Sequence, residues 1–152
     1  MTSVPLPDGS ASVVCLLDVI EHLSDPQPAL REAHRLLAPG GRLLVTVPAH
    51  PSLWSVTDEA LGHARRYSRA MLRKELEGTG FRPILLSHVF SWLYLPVWAK
   101  RRGETEPELG LDVTSPVVDR TAAVLTRLEN ALVRHVSLPV GTSLLCSADR
   151  RG

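Results

Sequence analysis

The chain has 152 residues, enough for one domain with a real core or for a piece of a larger one. A hydrophobic share of 44% beside 22% charged residues is that of an ordinary globular protein. The formal net charge of +1 argues against binding driven by phosphate neutralisation, so no nucleic-acid partner is expected.

The opening MTSVPLPDGS has no basic start followed by an apolar run and does not read as a signal peptide; residues 1–11 read as a lead-in. The first element is SVVCLLD, residues 12–18, a continuous apolar run typical of a central parallel strand. Beyond its terminal Asp18 come an acid and an imidazole, Glu21 and His22. Asp25 and Pro26 supply an N-cap and a first helical residue, and Leu30, Ala33 and Leu37 share one helical face. Gly40-Gly41 is expected to end that helix. RLLVTVP, residues 42–48, is a second buried strand, with His50 just past it. Ser68 caps a further helix with Met71, Leu72 and Leu76 on its apolar face, closed by Gly78 and Gly80.

FRPILLSHVF, residues 81–90, predicts a third strand, and a short aromatic helix follows around 92–100. The most membrane-like stretch, residues 84–102, falls short of the roughly 20 apolar residues that span a bilayer, and Pro96 interrupts it. Its aromatics lead into Lys100, Arg101 and Arg102, a pattern that also suits peripheral membrane contact; packing inside the domain is the preferred reading. Residues 103–115 read as an exposed acidic loop. Residues 116–136 read as a long helix with Val117, Thr121, Val124, Leu128 and Leu132 on one side, and 141–149 as a final strand. Cys15 and Cys146 both lie in apolar runs, which predicts free buried thiols and a reducing, cytoplasmic setting.

Strands alternating with helices predict an α/β domain with helices on a mostly parallel sheet. Ligands of such sheets bind beyond the carboxyl ends of the strands. Asp18, Glu21 and His22 stand at the first such end and His50 beyond the second, which makes position their main claim to function.

The segment LPDGSASVVCLLDVIEHLSDPQPALREAHRLLAPGGRLLVTVPAH resembles the second half of a class I S-adenosylmethionine-dependent methyltransferase. The strand ending in D-x-x-E-H-L, the helix ending L-x-P-G-G and the strand L-L-V-T-V-P come in that family's order and spacing. LGHARRYSRAMLRKELEGTGF resembles the following helix and turn of a bacterial subgroup. The resemblance implies part of a Rossmann-like fold, the second half of a seven-stranded sheet, mostly parallel with a last antiparallel strand. The family's opening strand, its G-x-G-x-G turn and its ribose-binding acid have no counterpart here. The expectation is therefore a truncated chain, residues 1–152 forming the C-terminal portion of the domain, with little or no activity alone. Its first strand would become an edge that a second copy or a partner chain covers, or that serves a non-catalytic interaction module.

Methyl transfer from a sulfonium needs the acceptor positioned and, where required, deprotonated. His22 is the first candidate base, with Glu21 beside it and His50 second; a histidine titrates near pH 6.5. By resemblance the cofactor is S-adenosylmethionine, with Leu17 and Asp18 at its edge. His63, Arg65, Arg66 and Tyr67 of the HARRYS loop, with Trp54, are candidates to hold a small-molecule, quinone-like or lipid-like acceptor. Asp18, Glu21 and His22 also offer two oxygens and one imidazole to a divalent metal. The expectation is that no metal binds, because three ligands adjacent in sequence show no second shell.

Overall fold

The computed structural model describes residues 3–107 and 115–151. Four strands, β1 (Ala11–Leu17), β2 (Leu37–Pro48), β3 (Phe81–Val89) and β4 (Ser143–Arg150), form one sheet in the order β1-β2-β4-β3. β1 pairs with β2 in parallel, and β4 is antiparallel to both β2 and β3. Three strands thus share one direction while the last returns between two of them, giving the Rossmann-like α/β sheet that the sequence predicts. The helices are α1 (Gln27–Leu36), α2 (Val56–Ala60), α3 (Arg69–Gly78), α4 (Tyr94–Arg101) and α5 (Pro116–Val133).

Period-two alternation along β2 turns Leu43, Val45 and Val47 inward, where they are fully buried with Leu144 and Cys146 of β4. Leu30 and Ala33 of α1, and Leu72 and Leu76 of α3, join the same cluster. Each such aliphatic side chain contributes roughly 1.5–3 kcal/mol by leaving water. Ser68 acts as the predicted cap, its Oγ accepting from the Met71 N–H at 3.2 Å. At α1 the N-cap is Pro26 instead of Asp25, one residue later than predicted, although Asp25 Oδ1 accepts from the Gln27 N–H at 3.0 Å. Met71 itself remains 38% exposed, at the margin of the apolar face.

Several expectations need correction. Helix α1 stops at Leu36, and Gly40-Gly41 lies inside β2 instead of ending the helix. There the β1–β2 register shifts between Ala11 and Val13, and Gly40 takes φ 76°. A Cβ on Gly41 would stand 2.8 Å from the Ala38 carbonyl oxygen, so the pair serves this irregularity. As the resemblance implies, β1 is an edge strand, with Val13 52% and Leu17 53% exposed, because no strand among the described residues lies on its other side. Cys15 is accordingly exposed, whereas Cys146 is buried and burial pushes its thiol up to about 12.

The predicted stripe on α5 faces solvent: Val117, Val124, Leu128 and Leu132 are exposed, and only Glu129 and Val133 are buried. The helix ends at Val133, three residues before the expected end. Glu129 ties it to the sheet by accepting from the backbone N–H groups of Phe90 and Ser91, the latter at 2.7 Å. Among the described residues, no helix is long and apolar enough to cross a membrane. Of the predicted acidic loop, residues 108–114 lie outside the described residues. Glu104 at its start accepts from the Thr57 hydroxyl at 2.7 Å. The lead-in packs on α1, where Glu32 Oε1 accepts from the Val4 N–H at 2.7 Å.

The co-directional strands share one more feature. Just past each carboxyl end stands a non-glycine residue in the left-handed region: Asp18 (φ 51°), His50 (φ 58°) and Phe90 (φ 57°). Such backbone costs of order 1–3 kcal/mol and collects at functional rims.

Candidate functional site

The site is built where β1 ends. Asp18 donates its backbone N–H to the Thr46 carbonyl (3.0 Å) and hydroxyl (3.1 Å), which anchors the turn to β2. The chain then winds one 3-10 turn, Ile20–His22, that buries Ile20 and Glu21 completely and leaves His22 exposed. The Glu21 backbone carbonyl receives the N–H groups of Ala64 (2.7 Å) and Arg65 (3.3 Å). That contact docks the HARRYS loop on the turn and sets His63 beside His22, with ring centroids 4.8 Å apart in an edge-on arrangement.

Helix α2, which the sequence reading missed, holds His63 from behind. Ser55 and Asp58 form its capping box, with the Ser55 N–H donating to Asp58 Oδ2 at 3.0 Å. At its other end the His63 N–H reaches the Asp58 carbonyl (2.9 Å) and the Gly62 N–H reaches that of Glu59 (3.0 Å). This is a Schellman closure with Gly62 at φ 71°, a conformation that glycine takes without steric cost. The fully buried Asp58 carboxylate also accepts from His63 Nδ1 (2.9 Å), Arg66 Nε (2.8 Å) and Arg101 Nη1. Burial alone would raise its pKa, but His63, Arg66 and Arg101 outweigh burial and hold it below the usual carboxylate value. Ser55 and Asp58 do carry the S-x-x-D cap spacing in sequence. The role of Asp58 as a hub for residues 63, 66 and 101 appears only in three dimensions.

Glu21 is the opposite case. It is fully buried, and among the described residues neither carboxyl oxygen has a hydrogen-bond partner. Burial raises its pKa, the Asp18 charge adds to the rise, and its own backbone amide and His22 offset part of it. One ligand atom each of Glu21, His22 and His63 lies within 4.8 Å of the others, so these three could hold a metal ion. Asp18, part of the ligand set read from sequence, is not in this group, because the 3-10 turn separates it from the two histidines.

The remaining candidates serve other purposes. His50 stacks on His88 (4.8 Å, 9°) and tilts against Tyr94 (5.0 Å), forming a second imidazole cluster. Burial lowers the pKa of both histidines, and the nearby cations Arg66 (for His50) and Arg69 (for His88) act in the same direction. Arg66 and Tyr67 point inward. Arg66 donates to Asp58 and to the Ala49 carbonyl (2.9 Å), and the Tyr67 hydroxyl donates to the Ile20 carbonyl (3.3 Å). Arg65 Nη2 donates to the Leu23 (3.4 Å) and Ser24 carbonyls. The arginines read as candidates to hold the acceptor are thus directed at the loop's own scaffold. Trp54 is 38% exposed, donates to Glu59 Oε1 at 3.3 Å and, with Trp98, Arg101 and Arg102, borders a cavity of about 250 Å³.

A larger cavity, about 520 Å³, opens along β1 between Val14, Leu16, Asp18, His22, Leu23 and Ala33. Its lining is nearly all apolar, with Asp18, His22 and Glu32 as the polar exceptions.

Residues 2–86, more than half of the chain, match the methyltransferase domain family. The chain belongs to that family. A probable S-adenosylmethionine-dependent methyltransferase of Mycolicibacterium smegmatis is 39% identical over 83 residues, covering 53% of this chain and 32% of the relative. One of Mycobacterium tuberculosis is 32% identical over 92 residues, covering 59% of this chain and 34% of the relative. The chain therefore spans about a third of the length of these curated relatives. A putative methyltransferase from Bacillus halodurans shares the fold with a TM-score of 0.58 at 17% identity, over 99% of this chain and 68% of that one.

Proposed function

We propose that this methyltransferase-family chain forms the acceptor side of an S-adenosylmethionine-dependent methyl-transfer site for a small-molecule or lipid-type acceptor. The observation that carries the reading is the cluster that the buried, unpartnered Glu21 forms with His22 and His63 at the end of β1, where His22 also lines the apolar cavity.

The residues fit one wall of a cofactor site. Leu17 is exposed at the strand end, and Asp18 turns in the left-handed region beside the cavity. No glycine of the described residues joins a strand to a helix start, so the opposite wall needs polypeptide lying against the open edge of β1. S-adenosylmethionine, when bound, supplies an electrophilic methyl group. The chain's own residues position the acceptor and accept its proton. Asp58 fixes His63 with its Nδ1 as donor, which leaves Nε2 as the ring atom free to meet an acceptor's proton. His22 is set the same way, with Nδ1 3.2 Å from the Gly62 carbonyl oxygen. Trp54 and the apolar lining of the β1 cavity favour an acceptor with an apolar body. Arg65, Arg66 and Tyr67 act through the scaffold, keeping the loop on the Glu21 turn.

A second reading rests on the same edge. With Val13 and Leu17 exposed, β1 can pair with another chain as a non-catalytic module. Calorimetric titration of S-adenosylhomocysteine separates the two. Under the methyl-transfer reading the folded chain alone binds weakly or not at all, and micromolar binding appears when a methyltransferase N-terminal half with its glycine-rich turn is added in trans. No binding in either case, with the two pieces associated, would favour the non-catalytic module.

A further inference from the structure

We infer that Glu21, His22 and His63 form a binding site for a divalent cation of the zinc type. The inference deepens the methyl-transfer reading and rests on it for the ion's chemical role; occupancy of the site stands on its own evidence.

The donor set comes first. One carboxylate oxygen and two imidazole nitrogens are ligands of first-row divalent ions; magnesium and calcium favour all-oxygen shells. Three protein ligands with an open position are also the pattern of reactive zinc sites. Ligand atoms in a tetrahedral zinc site are about 3.3 Å apart, as bond lengths near 2.0–2.1 Å require. One ligand atom of each residue here already lies within 4.8 Å of the others, and closure on an ion draws them together by about 1.5 Å at most, with the Nε2 atoms turned to it.

The second shell, invisible in the sequence, is present in the fold. His63 Nδ1 donates to the Asp58 carboxylate at 2.9 Å, the carboxylate–histidine arrangement that orients metal-binding imidazoles. His22 Nδ1 lies 3.2 Å from the Gly62 carbonyl oxygen, an acceptor that requires the nitrogen to donate. Both rings therefore keep a lone pair on Nε2. Asp58 is itself held by Arg66, Arg101 and the Ser55 N–H, so His63 rests on a rigid platform.

Glu21 supplies the independent observation. A carboxyl group fully removed from water, with no partner for either oxygen, is destabilising unless it is neutralised. A cation shared with His22 and His63 would neutralise it where a proton otherwise must. The ion would also take up the imidazole lone pairs assigned above to proton transfer. In the loaded protein it would then be the cation that lowers the pKa of an acceptor hydroxyl, and the imidazoles would hold the cation.

Cobalt(II) reports this directly. The protein titrated with Co²⁺ should give a visible ligand-field spectrum that saturates at one ion per chain and is displaced by Zn²⁺. His22→Gln, at an exposed position, and His63→Gln should each weaken binding at least tenfold while circular dichroism shows the fold retained. Asp58→Asn should weaken it about 10- to 100-fold, as loss of a second-shell carboxylate does. Asp18→Asn, which changes only a neighbouring charge and removes no ligand, should alter binding far less than either histidine variant, which separates this site from one built on the D-x-x-E-H segment alone. No saturable spectrum, or one unmoved by both histidine variants, would overturn the inference. Saturable, histidine-dependent binding without cofactor binding to the complemented protein would keep the metal site and remove the methyl-transfer reading.

Discussion

Two carboxyl groups lie completely buried on either side of His63, and the fold treats them in opposite ways. Asp58 accepts from four donors: His63, Arg66, Arg101 and the Ser55 N–H. Glu21, across the two imidazoles, has none. A satisfied buried charge organises its surroundings, because each donor is fixed by the same acceptor. An unsatisfied one contributes nothing to folding, so its presence calls for a reason outside stability. The platform around Asp58 reads as structure, and the turn around Glu21 reads as the place where something else is to be bound.

The largest expected effect tests the platform. Asp58→Asn leaves the buried Arg66 and the part-buried Arg101 short of their counter-charge and should cost about 3–5 kcal/mol in urea unfolding. Asp58 also gives a pH signature. Its pKa is lowered in the folded state, so its contribution is complete above the ordinary carboxylate value of 3.8 and is lost as pH falls below it. Wild type should therefore lose its advantage over Asp58→Asn in acid, as melting curves across the acid range would show. A smaller effect is expected from His63→Leu, which removes one of the four donors. The loss should be about 1.5–3 kcal/mol, the range for a hydrogen bond to a charged group. A loss as large as that of Asp58→Asn would mean that His63, and not the arginines, carries the platform.

Much of this arrangement was legible in the sequence, and the missing parts have physical causes. Apolar runs bounded by caps located all four strands, the helix capped by Ser68 and the long helix from residue 116, because these signals are local. Gly40-Gly41 misled because a glycine pair after a helical stretch looks the same whether it ends the helix or eases a strand irregularity. The apolar run of β1 suits a strand covered on both faces, and its place at an edge was implied only by the family resemblance, because burial depends on neighbours that the sequence of β1 cannot specify. His22 and Glu21 were singled out from their place at a strand end. Their third companion was expected to be Asp18, which is close in sequence, whereas the fold brings His63 from 41 positions further along. The hub at Asp58 joins residues from α2, the following loop and α4, and no periodicity marks such a meeting.

The central claim is that Glu21 is kept for binding at the expense of stability, and the pH dependence of Glu21→Gln tests it most directly. Because burial raises the Glu21 pKa, the folded state holds a proton that the unfolded state has lost above the ordinary value of 4.5. Stability of the wild type should then fall as pH rises through the raised pKa, while the glutamine variant carries no such penalty. Thermal melts in metal-free buffer should show the two proteins alike near the ordinary carboxylate value and the variant more stable, by about 1 kcal/mol, at about pH 8. A variant that is equally or less stable at the higher pH would show that the Glu21 carboxylate is well accommodated by the fold, and the account would fail.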